Sequence, residues 1–436
     1  AHAVAEFEVV LHEQKIHDSL RAVRRPAPGE PEVSAKRPSK TSGFLHEGHR
    51  LASGRVPTLP AMPRFHPLFF PPRRAFLRAA LAWPSAVSLS GLGGLLTLGG
   101  CGGSSHPGAP PAGAIAGPTV VSVTDRRVKA AHEVSLHVRD WQCDNCRGPT
   151  IVLLPGLGAN AYVFDGLAHA LAPRARVIAV SRRGYGQSDK PLPVRTATQH
   201  YEVDTLVADL HALLDGLGLD RVVLAGHSIA GNELTRFAGR HPRRVRGLVY
   251  IDATFDPTRN PATGGLPVPD NRLFREPVPR EEDGASMEAA LAYARRTVRH
   301  WSAPLEANLC DQLDLQPDGS VRLNTPAAVA DAMDTASHAF SPDYAPVRAP
   351  ALVVTAMPGD IRDIFPALPE TLDDATRKDA AAYLRAIRYV RVDDAARLMA
   401  ALKTRYQLVF EDACNGDFFI EREAELVRAI EAMRWA

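Results

Sequence analysis

The sequence predicts an α/β fold: a mostly parallel central sheet with helices on both faces and a helical insertion late in the chain. Three observations predict it. Apolar runs of strand length recur from Val120 onward, and stretches with helical apolar spacing separate them. Several of those runs end abruptly in Gly-rich turns. The alternation breaks between Phe255 and Pro346 and then resumes.

Bulk properties agree with a large folded domain preceded by something else. Of the 436 residues, 45% are hydrophobic, enough for a sizeable core. A formal net charge of +2 argues against a nucleic-acid surface. The 36 prolines crowd the first 120 residues. Residues 1–61 mix Pro, Lys, Arg and His without a sustained apolar period, as disordered or non-native extensions do. The text begins with Ala, and a natural start at Met62 is expected. Residues 62–101 have the order of an export signal. Pro72-Arg73-Arg74-Ala75-Phe76-Leu77-Arg78 resembles a twin-arginine motif, and an apolar, Gly-rich run follows from Ala79 to Gly100. Leu98-Gly99-Gly100-Cys101 resembles a bacterial lipoprotein cleavage box, which makes Cys101 the expected lipidation site. Residues 102–118, rich in Gly, Ser, Pro and Ala, are expected to be a flexible tether. The expected location is the periplasmic face of a bacterial membrane, with that lipid as the only membrane contact.

The folded domain is expected over residues 119–436. Val134–Arg139 alternates as a half-buried strand does. Thr150–Leu154 is almost continuously apolar, the pattern of a strand buried on both faces, and Pro155-Gly156-Leu157-Gly158 follows at once. Val177–Val180 leads into Ser181-Arg182-Arg183-Gly184-Tyr185-Gly186-Gln187-Ser188. A helix is expected over Val203–Leu217, then a strand at Arg221–Ala225, then Gly226-His227-Ser228-Ile229-Ala230-Gly231 opening another helix to about Gly239. Val249–Ile251 is a strand ending at Asp252. Pro350–Thr355 and Gln407–Phe410 are the last strands, and a helix over Glu421–Met433 closes the chain. Cys143 and Cys146 form a C-x-x-C without a second Cys or His pair at zinc-site spacing. They are read as loop cysteines, disulfide-bonded or free, ahead of a redox or metal role.

From Arg127 to Trp435 these residues resemble the α/β-hydrolase superfamily, and the motifs that carry the likeness are specific in combination. Gly226-His227-Ser228-Ile229-Ala230-Gly231 resembles the nucleophile elbow, with Ala230 where Gly is usual. Arg182-Arg183-Gly184-Tyr185-Gly186 upstream strengthens the match. The resemblance implies that Ser228 is the nucleophile; epoxide hydrolase and haloalkane dehalogenase relatives carry an aspartate there. It implies that Leu154–Gly158 is the oxyanion loop, with Pro155 where most members have His, and that the Leu157 and Ile229 amides are its donors. His227 is expected to pack away from the reacting centre, and Arg182 and Arg183 to support the neighbouring loop. Residues 255–346 are expected to form a cap that shapes the substrate site, with helices near Met287–His300 and Ala327–Ala336.

The remaining two members of a triad are less clear. Asp360, in Ala356-Met357-Pro358-Gly359-Asp360, resembles the family's acid, with Asp363 and Asp252 as alternatives. The family's histidine should follow the last strand, but Glu411–Phe419 contains none. Asn415 or Asp417 occupies its place, and His338 from the cap is a possible base. The expected function is hydrolysis of an ester or related acyl bond of a small molecule, weakened by the missing base. The rival is a non-catalytic binding protein on the same fold. No cofactor and no metal are implied, and the oligomeric state is left open.

Overall fold

The computed structural model describes residues 121–435 except 257, 260–263, 276, 278 and 434. The extension, export signal, tether and Cys101 expected within residues 1–118 lie outside the described residues.

Strands β1 (Val121–Lys129), β2 (Ser135–Cys143) and β3 (Ile151–Leu154) come first, followed by helix α1 (Asp165–Leu171) and β4 (Val177–Val180). Helix α2 (Val203–Gly216), β5 (Val222–His227), α3 (Ala230–Arg240) and β6 (Val245–Ile251) complete the first half. The insertion holds α4 (Met287–Thr297), α5 (Ala303–Cys310), a small hairpin β7 (Leu313–Leu315)–β8 (Val321–Leu323) and α6 (Ala327–His338). Then come β9 (Ala351–Met357), α7 (Asp374–Leu402), β10 (Tyr406–Glu411), α8 (Phe418–Glu421) and α9 (Glu423–Ala432).

Eight strands form one sheet in the order β1-β2-β4-β3-β5-β6-β9-β10. The β1–β2 and β2–β4 pairings are antiparallel, and all others are parallel. Every residue of β3, β4, β5 and β9 is buried, which explains their continuous apolar text. One core lies between the sheet and α1 and α9, around Leu153, Phe164, Val223, Val354, Phe410 and Leu426. The other lies beneath α2 and α3, around Val152, Leu210, Leu224, Leu234, Phe237 and Val353.

The expected strands and helices are present, with boundaries shifted by a few residues. The structure adds β1, α1, α5, the β7–β8 hairpin and the 29-residue α7. Sequence reading passed over α7 because its buried positions, among them Tyr383, Ile387, Val390 and Leu398, are diluted by many charged residues. Its start is defined by Asp373, whose side chain accepts from the Thr376 amide. It ends at Lys403, held at φ 53°. Cys143 and Cys146 form a disulfide at the end of β2. Among the described residues no helix is long and apolar enough to cross a membrane.

Candidate active site

The carboxyl ends of the parallel strands converge on one edge of the sheet, and β5 carries Ser228 there. The turn from β5 to α3 is so tight that Ser228 takes φ +57°, a left-handed conformation that costs a non-glycine residue about 1–3 kcal/mol. Small neighbours make the turn possible. A Cβ at Gly226 would lie 2.5 Å from a methyl of Leu234 and 3.0 Å from the Ala230 Cβ. Ala230 is itself fully buried, so the position tolerates one methyl group beside a glycine. Gly156 lies against the serine from the other side, where an added Cβ would sit 3.3 Å from the Ser228 Cβ and 2.7 Å from His227 Nδ1. Ser228 is buried, and its Oγ has no hydrogen-bond partner among the described residues.

The loop after β3 is held from beneath by Arg182. One guanidinium nitrogen donates to the Pro155 and Gly156 carbonyls at 2.6 and 2.8 Å, and another pairs with Glu233 of α3. A trans peptide points its C=O and N–H in opposite directions. Fixing the Gly156 carbonyl on Arg182 therefore turns the Leu157 amide to the opposite side. Among the described residues neither the Leu157 nor the Ile229 amide donates a hydrogen bond. Arg183 also supports its surroundings, through Asp209 and the His200 and Ala131 carbonyls.

Asp252 follows β6, the strand beside the one that carries Ser228. The register pairs His227 with Ile251, and the Ser228 amide donates to the Ile251 carbonyl at 3.0 Å, so Ser228 and Asp252 leave adjacent strands together. The Asp252 carboxylate is buried and fully engaged. It accepts from the Ala356 amide at 3.0 Å, from Arg391 of α7 at 2.6 and 2.8 Å, and from the Asn415 side-chain amide at 2.7 Å. Asn415 lies in the loop after β10, so Asp252 joins that loop to β6 and α7. His227 packs its ring on Phe419 at 4.7 Å, and its Nε2 donates to the Asn415 carbonyl at 2.7 Å. That fixes the protonated nitrogen and fastens the Asn415 loop to the elbow strand.

Two sequence candidates have local partners in this geometry. The Asp360 carboxylate is 63% exposed and accepts from the Arg362 amide, starting the short helical turn Ile361–Asp363. The chain turns away from the sheet at Gly359 because the buried Asp363 carboxylate gathers the Gly359 and Asp360 amides at 2.7 and 2.9 Å and pairs with Arg299. His338, the possible base, is the last residue of α6, and its Nδ1 lies on its own helix, 2.8 Å from the Asp334 carbonyl and 3.3 Å from that carboxylate. Asp252 was weighed from sequence only as an alternative; its Arg391 partner went unseen because α7 went unseen.

The insertion covers the site. Val329, Ala332, Met333 and Ala336 of α6 pack with Ile229 and Tyr185, with Leu157 and Phe255 at the margin. Asn232, one turn beyond the elbow, donates to the Ser337 carbonyl at 3.2 Å. From α5, Asn308 accepts from the Asn160 amide at 2.9 Å and so holds the far end of the Gly156 loop.

Comparisons with known proteins bear on the fold. A family model described as alpha/beta hydrolase fold matches residues 149–291. An uncharacterized protein of Mycobacterium tuberculosis is 36% identical over 106 residues, 24% of this chain and 29% of that protein. The 2-(acetamidomethylene)succinate hydrolase of Mesorhizobium japonicum is 32% identical over 121 residues, 28% of this chain and 40% of that protein. Epoxide hydrolase B of Mycobacterium tuberculosis is 34% identical over 110 residues, 25% of this chain and 30% of that protein. The matches thus span well under half the length of these relatives. The crystal structure of E-2-(acetamidomethylene)succinate hydrolase superposes with a TM-score of 0.50 at 21% identity, covering 71% of this chain and 98% of that one.

Proposed function

We propose that this chain, whose fold and residues 149–291 resemble the α/β hydrolases, is a serine hydrolase of weak turnover that cleaves an ester or related acyl bond. Ser228 is the attacking group, and the Leu157 and Ile229 amides receive the developing oxyanion. The observation that carries this reading is Ser228 itself, held at φ +57° beneath the cap with an unpaired hydroxyl and two undonated amides nearby. That arrangement costs free energy and serves acyl transfer. The apolar α6 face over Ile229 supports an apolar acyl group as the preferred substrate. Asn415 takes the position of the base on Asp252, and an amide does not accept a proton at neutral pH. Weak turnover follows from that exchange.

The same exchange favours a second reading, a binding protein that retains the fold without turnover. A fluorophosphonate probe separates the two. Labelling that disappears in Ser228→Ala supports the hydrolase; absence of labelling in the wild-type chain, under conditions where a related esterase reacts, supports the binding protein.

We also propose export and lipid attachment at Cys101. The twin arginines, the small residues before Cys101 and the Cys143–Cys146 disulfide support it, since disulfides persist in oxidising compartments.

A further inference from the structure

A second group of ionisable side chains lies away from Ser228, where the cap meets the loop after β10. His300, in the segment between α4 and α5, faces Asp417 and Glu421 at the start and end of α8. One donor atom from each of the three lies within 4.8 Å of the others. His300 Nδ1 is 3.1 Å from Glu421 Oε2 and 3.8 Å from Asp417 Oδ2. It is shielded from solvent yet aligned for no hydrogen bond.

Asp417 is the unusual member. It is only 2% exposed, and its Oδ1 has no hydrogen-bond partner among the described residues. Its other oxygen accepts from the His300 amide at 3.2 Å. Glu421 lies four residues further on the same short helix, a spacing at which like charges repel. A buried carboxylate with an unsatisfied oxygen, a second carboxylate held close and an imidazole nitrogen turned toward both are an unfavourable set as they stand. A cation between them converts each of those costs into a bond.

We propose that His300, Asp417 and Glu421 bind a divalent transition-metal ion, with zinc the closest fit. One imidazole and two carboxylates suit zinc, manganese or iron(II), whereas calcium and magnesium prefer oxygen donors alone. The sequence shows no metal-site spacing because His300 stands 117 residues from Asp417. The ion ties the cap to the C-terminal loop. On the cap side, Arg299 already reaches Asp363 and the Asp412 carbonyl, and α5 holds Asn160. On the loop side, Asn415 lies two residues before Asp417. The ion is therefore structural, outside the acyl-transfer step.

The test is isothermal titration of zinc chloride into the metal-stripped full chain and into His300→Ala, Asp417→Asn and Glu421→Gln, with circular dichroism confirming that each is folded. The wild-type chain is expected to bind one equivalent more than each variant, or the same equivalent at least about tenfold more tightly, the lower end of what disturbing a metal shell costs. Equal stoichiometry and affinity in all four proteins overturn the proposal. Cobalt(II) supplies a second reading: a visible spectrum without a thiolate charge-transfer band agrees with the nitrogen and oxygen donors, whereas such a band places the ion on a cysteine and overturns it. Neither result depends on Ser228.

Discussion

Asn415 shows how much chemistry rests on one residue. Its amide already points at Asp252, 2.7 Å away, so an imidazole in its place would inherit the same partner. Asn415→His is expected to raise turnover of a short p-nitrophenyl ester, by up to the roughly 10²–10⁴-fold that a positioned base contributes. Asp417→His should give no such gain, because Asp417 faces His300 and Glu421. An unchanged rate in Asn415→His would refute the assignment of that position to the base. The tight turn at Ser228 was legible in the sequence because it is local, strand, turn and helix in consecutive residues. Which carboxylate lies on the strand beside Ser228's was not legible. Asp252 and Asp360 both follow apolar strands, and what distinguishes them is a guanidinium 139 residues away from Asp252 in sequence and the amide-gathering Asp363 beside Asp360.

At the level of elements, the loop between β3 and α1 depends on the buried Arg182–Glu233 pair. Arg182→Met leaves Glu233 buried and unpaired, and a loss of about 3–5 kcal/mol in chemical denaturation is expected. Adding Glu233→Gln should recover part of that stability but not fluorophosphonate labelling, since the Gly156 carbonyl would still lack its anchor; recovery of both would show that the arginine does not orient the loop. Helix α1 offers a pH signature. Burial, opposed by Arg139, raises the Asp165 pKa to about 6. The folded chain then holds a proton that the unfolded chain releases near pH 4. Stability from this group falls as pH rises from about 4 to about 6 and levels off above that. The thermal midpoint of Asp165→Asn, relative to wild type, should therefore climb across that window and stay flat beyond it; a constant difference would contradict the shift. Strands fully buried in the sheet were readable from their unbroken apolar text. Helix α7 was not, because its apolar face is shared between the sheet, through Leu398, and the cap side, through Tyr383 and Phe274, which blurs any single stripe.

Over the whole molecule, composition places the start of the folded domain at about residue 119, and the first described strand, β1, begins at Val121. A chain starting at Pro118 should melt within a few degrees of the full chain, and a drop of many degrees would show that the preceding residues contribute to the fold. Expressed in a bacterium with a palmitate analogue, the chain should take label that Cys101→Ala removes; label that survives would exclude that cysteine. The cap was legible as a break in rhythm between 255 and 346, but its contacts with Ile229 and Asn160 were not, because they join residues far apart in sequence. The pairing of Asn415 with Asp252 has a kinetic consequence for the molecule as a whole. In the proposed acyl transfer, attack by Ser228 and release of the acyl group by water both call for the missing base, and a good leaving group eases only the first. An activated ester should therefore acylate the chain faster than water frees it, accumulating up to one acyl group per chain, with the added mass on the peptide containing Ser228. On the proposed reading, such a chain would consume its substrate in proportion to its own abundance, a sink for reactive acyl groups whose capacity is set by how many copies the cell makes.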